Sequence, residues 1–280
     1  MGNLTGFFGS ILAVYGLLLG GMFVFQRSML YFPPGDQPVL TSVGGTGIEA
    51  VTVTTEDGLE LVHWYRPPAL PGGPVIVMFH GNAGHIGDRV PKYWPLLKAG
   101  FGVFFAEYRG YGGNPGSPNE AGLTADGRSV MTYLSAQGVV PEQIVLYGES
   151  LGTGVAIKLA AEHRVAGLVL EAPPGSIAEL AQAHYWYVPA KWLLLDPWNA
   201  IDLMERVAAP LLLLHGEADR TVPVRFGRRV YEAAGGEKEA LFLPTGGHAD
   251  LYNFPEVPVR VIDFVRRKAS VAKSMEPASG

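Results

Sequence analysis

Hydrophobic and polar positions fall into three regimes along the chain. Residues 6–25 form an apolar run without a single charge. As a helix that run rises about 30 Å, the hydrocarbon thickness of a bilayer, and it is apolar around its whole circumference rather than along one stripe. We expect a single membrane anchor there. A cleaved signal peptide fits less well, because no basic residue precedes the run and no small-x-small site closes it. Residues 26–32 read as a short amphipathic connector, and Pro33, Pro34 and Pro38 punctuate the exit from the membrane. The chain thus divides into anchor and connector over 1–32, a globular domain over 33–268, and a polar tail over 269–280 that we expect to be disordered.

From residue 49 the pattern changes. Residues 49–55 and 59–65 are rich in strand-favouring residues, alternate in character and flank the turn Glu56-Asp57-Gly58, which predicts a hairpin at one sheet edge. Residues 75–79 are continuously apolar, as a strand buried on both faces requires. Strand-like runs recur at 102–106, 143–147, 167–170, 211–214 and 240–243, alternating with helical patterns at 90–99, 121–136, 153–162, 225–234 and 257–268. Such alternation predicts an α/β fold: a mostly parallel sheet with helices on both faces, its site at the carboxyl ends of the strands.

The third regime is residues 173–209, too long for a plain crossover and rich in aromatic and leucine residues. It reads as a small cap insert over the site. We expect Tyr185, Trp186, Trp192 and Trp198 to bind substrate; the alternative is that they pack the cap's own core.

Composition narrows the chemistry. A net charge of −5, with no dense basic cluster, argues against nucleic acid as a partner. The chain has no cysteine, which excludes disulfides, thiolate catalysis and cysteine-ligated metals. Neither an HExxH pattern nor another ligand cluster appears, so no metal and no cofactor is expected. Arg27, the first basic residue, lies on the C-terminal flank of the apolar run, which tilts the topology toward a cytoplasmic globular domain.

The catalytic signal is Gly148-Glu149-Ser150-Leu151-Gly152, set between a predicted strand and a predicted helix. On such a turn the serine hydroxyl is pushed into solvent, and the flanking glycines remove side chains where strand and helix crowd. A nucleophilic Ser150 needs a base and a carboxylate to orient it, and in this class of sheet they follow in the order acid, then histidine. His248, in the Gly246-Gly247-His248 loop after the last strand, is the expected base. Asp219 is the expected acid, with Glu171 as its rival; Asp250 stands too near His248 in sequence and fits better as a helix cap. His215 is expected to make a structural hydrogen bond, and ordinary structural or solvated roles suffice for His63, His163 and His184. For the oxyanion, Leu151 supplies one backbone donor and Asn82, in the turn His80-Gly81-Asn82-Ala83-Gly84, the second. That turn lacks the lysine and hydroxyl residue of a phosphate-cradling loop.

These motifs together resemble the α/β-hydrolase superfamily, and within it the Bem46/ABHD13/ABHD17-type membrane-anchored serine hydrolases. The matching residues are QRSMLYFP from Gln26, HGNAG from His80, YRGYGGNPGSPNEAGL from Tyr108, GESLG from Gly148, HGEAD from His215, TVP from Thr221 and GGH from Gly246. The palmitoylated cysteine cluster of one branch is missing, and the apolar span stands in its place. The resemblance implies acyl transfer to water through Ser150, His248 and Asp219. The anchor and the aromatic cap favour a lipid-like acyl ester. A thioester, as in protein depalmitoylases, or a peptide would use the same triad, and a relic site serving only interactions is the remaining alternative.

Overall fold

The residues that pattern as buried strands form the middle of one eight-stranded sheet. A computed structural model describes residues 2–274. Its strands are β1 (Glu49–Thr54), β2 (Glu60–Arg66), β3 (Val75–Phe79), β4 (Gly102–Ala106), β5 (Ile144–Glu149), β6 (Gly167–Glu171), β7 (Leu211–Gly216) and β8 (Lys238–Leu243), in the spatial order 1-2-4-3-5-6-7-8. The β1–β2 hairpin is antiparallel and β2 pairs antiparallel to β4; every other pairing is parallel.

Side chains alternate across the sheet, so each central strand feeds two cores. Val75, Val77 and Phe79 enter one layer with Leu146 and Leu170; Ile76 and Met78 enter the other with Tyr147 and Leu214. Helices α3 (Glu120–Ala136) and α4 (Gly152–Glu162) cover the first layer, and α2 (Val90–Lys98) the second. Later in the chain, α7 (Val224–Ala233) packs Val230 on the first layer and α8 (Glu256–Ser274) packs Val261 and Phe264 on the second. Helix α8 runs six residues past Lys268, where the apolar periodicity suggested an end; residues 275–280 of the expected tail lie outside the described residues.

The N-terminal helix α1 (Gly2–Leu30) is one unbroken rod, so the expected connector after residue 25 is instead its last turn. Gly6–Leu30 is long and apolar enough to cross a membrane, and its most apolar stretch is unburied by the protein. Its lower end is attached to the domain. Gln26 is buried, Tyr31 is buried, and Phe32 forms a parallel bridge to Ala83 in the loop after β3.

Between β6 and β7 the chain forms α5 (Ile177–His184) and the short α6 (Ala190–Leu193). Ser176 caps α5 by accepting the amide of Glu179. From Trp198 onward the insert returns to the main core: the indole is 2% exposed, lies against Gly154 of α4, donates from Nε1 to Tyr31 Oη at 3.1 Å, and carries Lys158 Nζ 4.9 Å above its ring. Only the first half of the insert stands over the site.

Candidate active site

Ser150 sits between the end of β5 and the start of α4 with φ of 51°, a left-handed conformation that costs a non-glycine residue on the order of 1–3 kcal/mol. Surrounding structure holds it there. Its amide donates to Glu171 O at 2.8 Å, and its carbonyl accepts both the amide of Thr153 at 3.0 Å and the Thr153 hydroxyl at 2.5 Å. A Cβ on Gly152 would stand 2.2 Å from Phe79 O, so only glycine lets α4 start this close to β3.

His248 Nε2 is 3.0 Å from Ser150 Oγ, and its Nδ1 is 2.7 Å from Asp219 Oδ2. Asp219 also accepts the amides of Thr221 and Val222 on Oδ1, each at 2.8 Å. Burial pushes the Asp219 carboxyl up, but hydrogen bonds from His215 and His248, the nearby His248 charge and the Val222 amide outweigh it and hold the group well below the usual carboxylate range. An ionised Asp219 assigns the proton to Nδ1 of His248, leaving Nε2 to accept from the serine hydroxyl. The loops carrying acid and base are joined through their backbones. Glu217 N donates to Leu243 O at 2.8 Å and Ala218 N to Gly246 O at 3.0 Å, and a Cβ on Gly216 would come within 2.1 Å of Gly246 O. Gly216 and Gly246 therefore serve the close approach of these two loops.

The competing carboxylates are occupied elsewhere. Glu171 is buried, accepts the Tyr147 hydroxyl at 2.6 Å and pairs with Lys92 Nζ at 2.8 Å. Lys92 also pairs with Glu149 at 2.7 Å, and Arg89 joins Glu149 at 3.0 Å. Burial opposes ionisation of Glu149, yet Lys92 and Arg89 hold its carboxyl down to about 2. This ion network lies behind the elbow and tethers the residue before Ser150. Sequence reasoning missed Arg89 and Lys92, since nothing local marks two basic residues near the start of a helix as partners of carboxylates 57 to 79 positions away. Asp250 caps no helix; its Oδ1 accepts the amide of Gly247 at 2.7 Å, one residue before the base. His215 Nε2 donates to Val222 O at 2.8 Å and so supports the loop that carries Asp219. His63 is fully buried with Nδ1 accepting the Glu107 amide, and burial pushes its ring down to about 3.

Asn82 lies across from the elbow. Its carbonyl accepts the amide of Phe32 at 2.8 Å and the Tyr111 hydroxyl at 2.9 Å, and its side-chain Nδ2 donates to Leu30 O at 2.9 Å. Through the Phe32 and Leu30 bonds the end of α1 clasps the loop on which Asn82 sits. Among the described residues the backbone amides of Asn82 and Leu151 have no protein partner, and both residues line the same cavity as Ser150.

Residues 73–203 match the family described as serine aminopeptidase, S33, a stretch that includes Ser150 and stops before Asp219 and His248. An uncharacterised protein of Mycobacterium tuberculosis, Rv2307c, is 39% identical over 86% of this chain and 88% of its own. The lysophosphatidylserine lipase ABHD12 of Danio rerio is 33% identical over 72% of this chain, which spans 61% of that longer protein. Among solved structures, the esterase Pf2001 of Pyrococcus furiosus superposes with a TM-score of 0.66 at 21% identity, covering 86% of this chain and 100% of the other. The chain belongs to the α/β-hydrolase superfamily. It is a serine ester hydrolase of that superfamily.

In this hydrolase Ser150 faces an apolar cavity of about 220 Å³. Met22, Phe23 and Leu30 of α1 form one side, and Leu180, Val188 and Leu193 of the insert form the other. Among the described residues no Asp, Glu, Lys or Arg lines it; Gln26, Asn82, Ser150, His184, Tyr185 and Thr221 supply its few polar groups. His184 Nε2 lies 2.9 Å from Thr221 O, which ties α5 to the acid loop. Of the four aromatic residues expected to bind substrate, only Tyr185 reaches the cavity. Trp198 belongs to the main core, and Trp186 and Trp192 point outward, 80% and 88% exposed. Sequence reasoning missed the contribution of α1, because an apolar helix read alone carries no sign that one of its faces is a binding wall.

Proposed function

We propose that this hydrolase cleaves carboxylic esters of lipid-like acyl chains, held at a membrane by α1, through a triad of Ser150, His248 and Asp219. The observation that carries the reading is the apolar cavity shared by α1 and the insert with Ser150 at its polar end. His248 Nε2 takes the proton as Ser150 Oγ attacks the acyl carbonyl, and Asp219 stabilises the imidazolium that forms. The amides of Asn82 and Leu151 receive the negative oxygen of the tetrahedral intermediate. Collapse expels the alcohol, which takes the proton from His248 Nε2. Water, deprotonated by the same nitrogen, then cleaves the acyl-enzyme and releases the acid.

The lining argues for an ester over a peptide. Recognising a free α-amino group calls for a carboxylate, and among the described residues none lines this cavity. A thioester would react by the same steps, with a thiol as leaving group. The likeness to lysophosphatidylserine lipases favours a single-chain glycerolipid as the ester class.

p-Nitrophenyl esters of increasing chain length test the reading, run beside an acyl-CoA and an aminoacyl amide. We expect the ester rate to rise with length beyond acetate, fluorophosphonate labelling of Ser150, and neither rate nor labelling in Ser150→Ala. Activity surviving that substitution would overturn the nucleophile, and a strict preference for acetate would overturn the acyl cavity.

A further inference from the structure

The insert carries a crest of exposed aromatic and leucine side chains that face neither the cavity nor the core. Trp186 and Trp192 are the most exposed large apolar residues of the insert, with Tyr187 and Leu195 about half exposed. Trp186 and Tyr187 pack edge to face, with ring centroids 5.8 Å apart. On the surface of a water-soluble domain such a group is a liability; beside a membrane it has a partner.

The position of the crest decides which partner. Tyr15, in the middle of the span, donates its hydroxyl to Tyr187 O at 2.5 Å. Nearer the end of α1, Gln26 bonds both Leu193 O at 3.3 Å and Leu195 N at 2.6 Å, and Arg27 pairs with Asp196 at 2.9 Å. The insert therefore lies along α1 from Tyr15 to Arg27, a rise of about 18 Å. Wherever α1 crosses a bilayer, that length of the insert goes in with it. Two polar groups along this stretch that would oppose insertion have partners: Tyr187 O the Tyr15 hydroxyl, and Lys191 the Glu179 carboxylate at 3.3 Å. Tryptophan and tyrosine are also the residues that settle at the boundary between headgroups and acyl chains.

We infer that the crest of Trp186, Tyr187, Trp192 and Leu195 is seated in the lipid bilayer, in the leaflet from which α1 emerges, so that an ester reaches the cavity sideways from that leaflet. The inference rests on α1 being a membrane span, and it assigns Trp186 and Trp192 to the membrane rather than to the substrate.

The test uses the full chain in phosphatidylcholine vesicles whose acyl chains carry bromine, a quencher of nearby indoles. Flotation with the vesicles reports the anchor independently of the crest. We expect emission to be quenched in rough proportion to two of the five tryptophans, and the quenching to disappear in Trp186→Phe/Trp192→Phe. Trp186→Asp/Trp192→Asp is expected to lower the rate on a vesicle-embedded ester about tenfold or more while the rate on dissolved p-nitrophenyl butyrate holds. Flotation with equal quenching in wild type and the Phe variant overturns the seat and leaves the anchor standing. Failure to float overturns the anchor beneath it. Equal loss on both substrates, or a dimer that dissociates on the Asp substitutions, would give the crest to the catalytic site or to a second copy and overturn the inference.

Discussion

Ser150, His248 and Asp219 occupy a wall of the cleft in which almost every polar atom has a partner: Ser150 is held by Glu171 and Thr153, Asp219 by two amides, His248 by Asp219. The opposite wall, from Met22 to Leu30 on α1 and Leu180 to Leu194 on the insert, is apolar and is joined by a handful of bonds at Gln26, Arg27 and Tyr15. One wall fixes angles and the other offers volume. A reaction needs its atoms within a few tenths of an ångström, whereas an acyl chain needs only a dry groove of adequate length. The two walls should therefore respond differently to substitution.

The largest separation is expected from Asp219→Asn. It keeps the shape of the acid loop and removes the charge that orients His248, and kcat should fall by about 10⁴-fold with little change in KM. Steady-state kinetics on a soluble ester would show this, and an unchanged kcat would remove Asp219 from the triad. Next, Asn82→Ala spares the backbone amide proposed to receive the oxyanion but cuts the bond from Nδ2 to Leu30 O. A displaced donor should cost about 10- to 100-fold in kcat with KM held, and an unchanged urea midpoint would separate this from a loss of folded enzyme.

On the apolar wall the expected effects are smaller and depend on the substrate. Leu180→Trp should shorten the preferred chain, lowering kcat/KM for long esters about tenfold while leaving acetate near wild type. Uniform loss across the series would show that Leu180 supports the fold rather than the groove. A further effect, on stability rather than rate, separates a buried histidine from both walls. His63 is held to about 3 by burial against an ordinary 6.5, so below pH 6.5 the unfolded chain takes up a proton that the native site refuses. Stability from this group is intact above about 6.5 and declines as pH falls toward 3, with a slope of up to about 1.4 kcal/mol per pH unit. His63→Gln, which can still accept the Glu107 amide, should flatten that slope in urea titrations; an unchanged slope would trace the acid sensitivity to other groups.

The same contrast explains what could be read from the chain alone. Strands such as 75–79 and 102–106 are short, continuously apolar and bounded by turn residues, so burial on both faces leaves a pattern that local inspection recovers. The expected elbow, acid and base positions are likewise legible because each follows a strand, and the sheet converts that order into proximity. Partners chosen by packing leave no such mark. Lys92 reads as a surface helix residue until Glu149 and Glu171 are seen beside it. Trp198 and Trp192 stand six positions apart in one aromatic stretch, yet one is in the core and the other is exposed, a division set by where the insert turns back. The cavity wall on α1 was illegible for the same reason: Met22 and Phe23 meet Leu193 only across some 170 intervening residues.

The bonds of Gln26 and Leu30 also set a phase. A helix turns about 100° and advances about 1.5 Å with each residue, so between Tyr15 and Leu30 the face that α1 shows the cavity is keyed at both ends. One residue inserted in that stretch would swing Tyr15 a quarter of a turn away from Tyr187, with the apolar character of the helix kept and its length increased. The same residue inserted ahead of Tyr15 would lengthen the span and leave the key uncut. Along one hydrophobic helix, tolerance of substitution and tolerance of insertion thus part company, and the boundary between them is Tyr15.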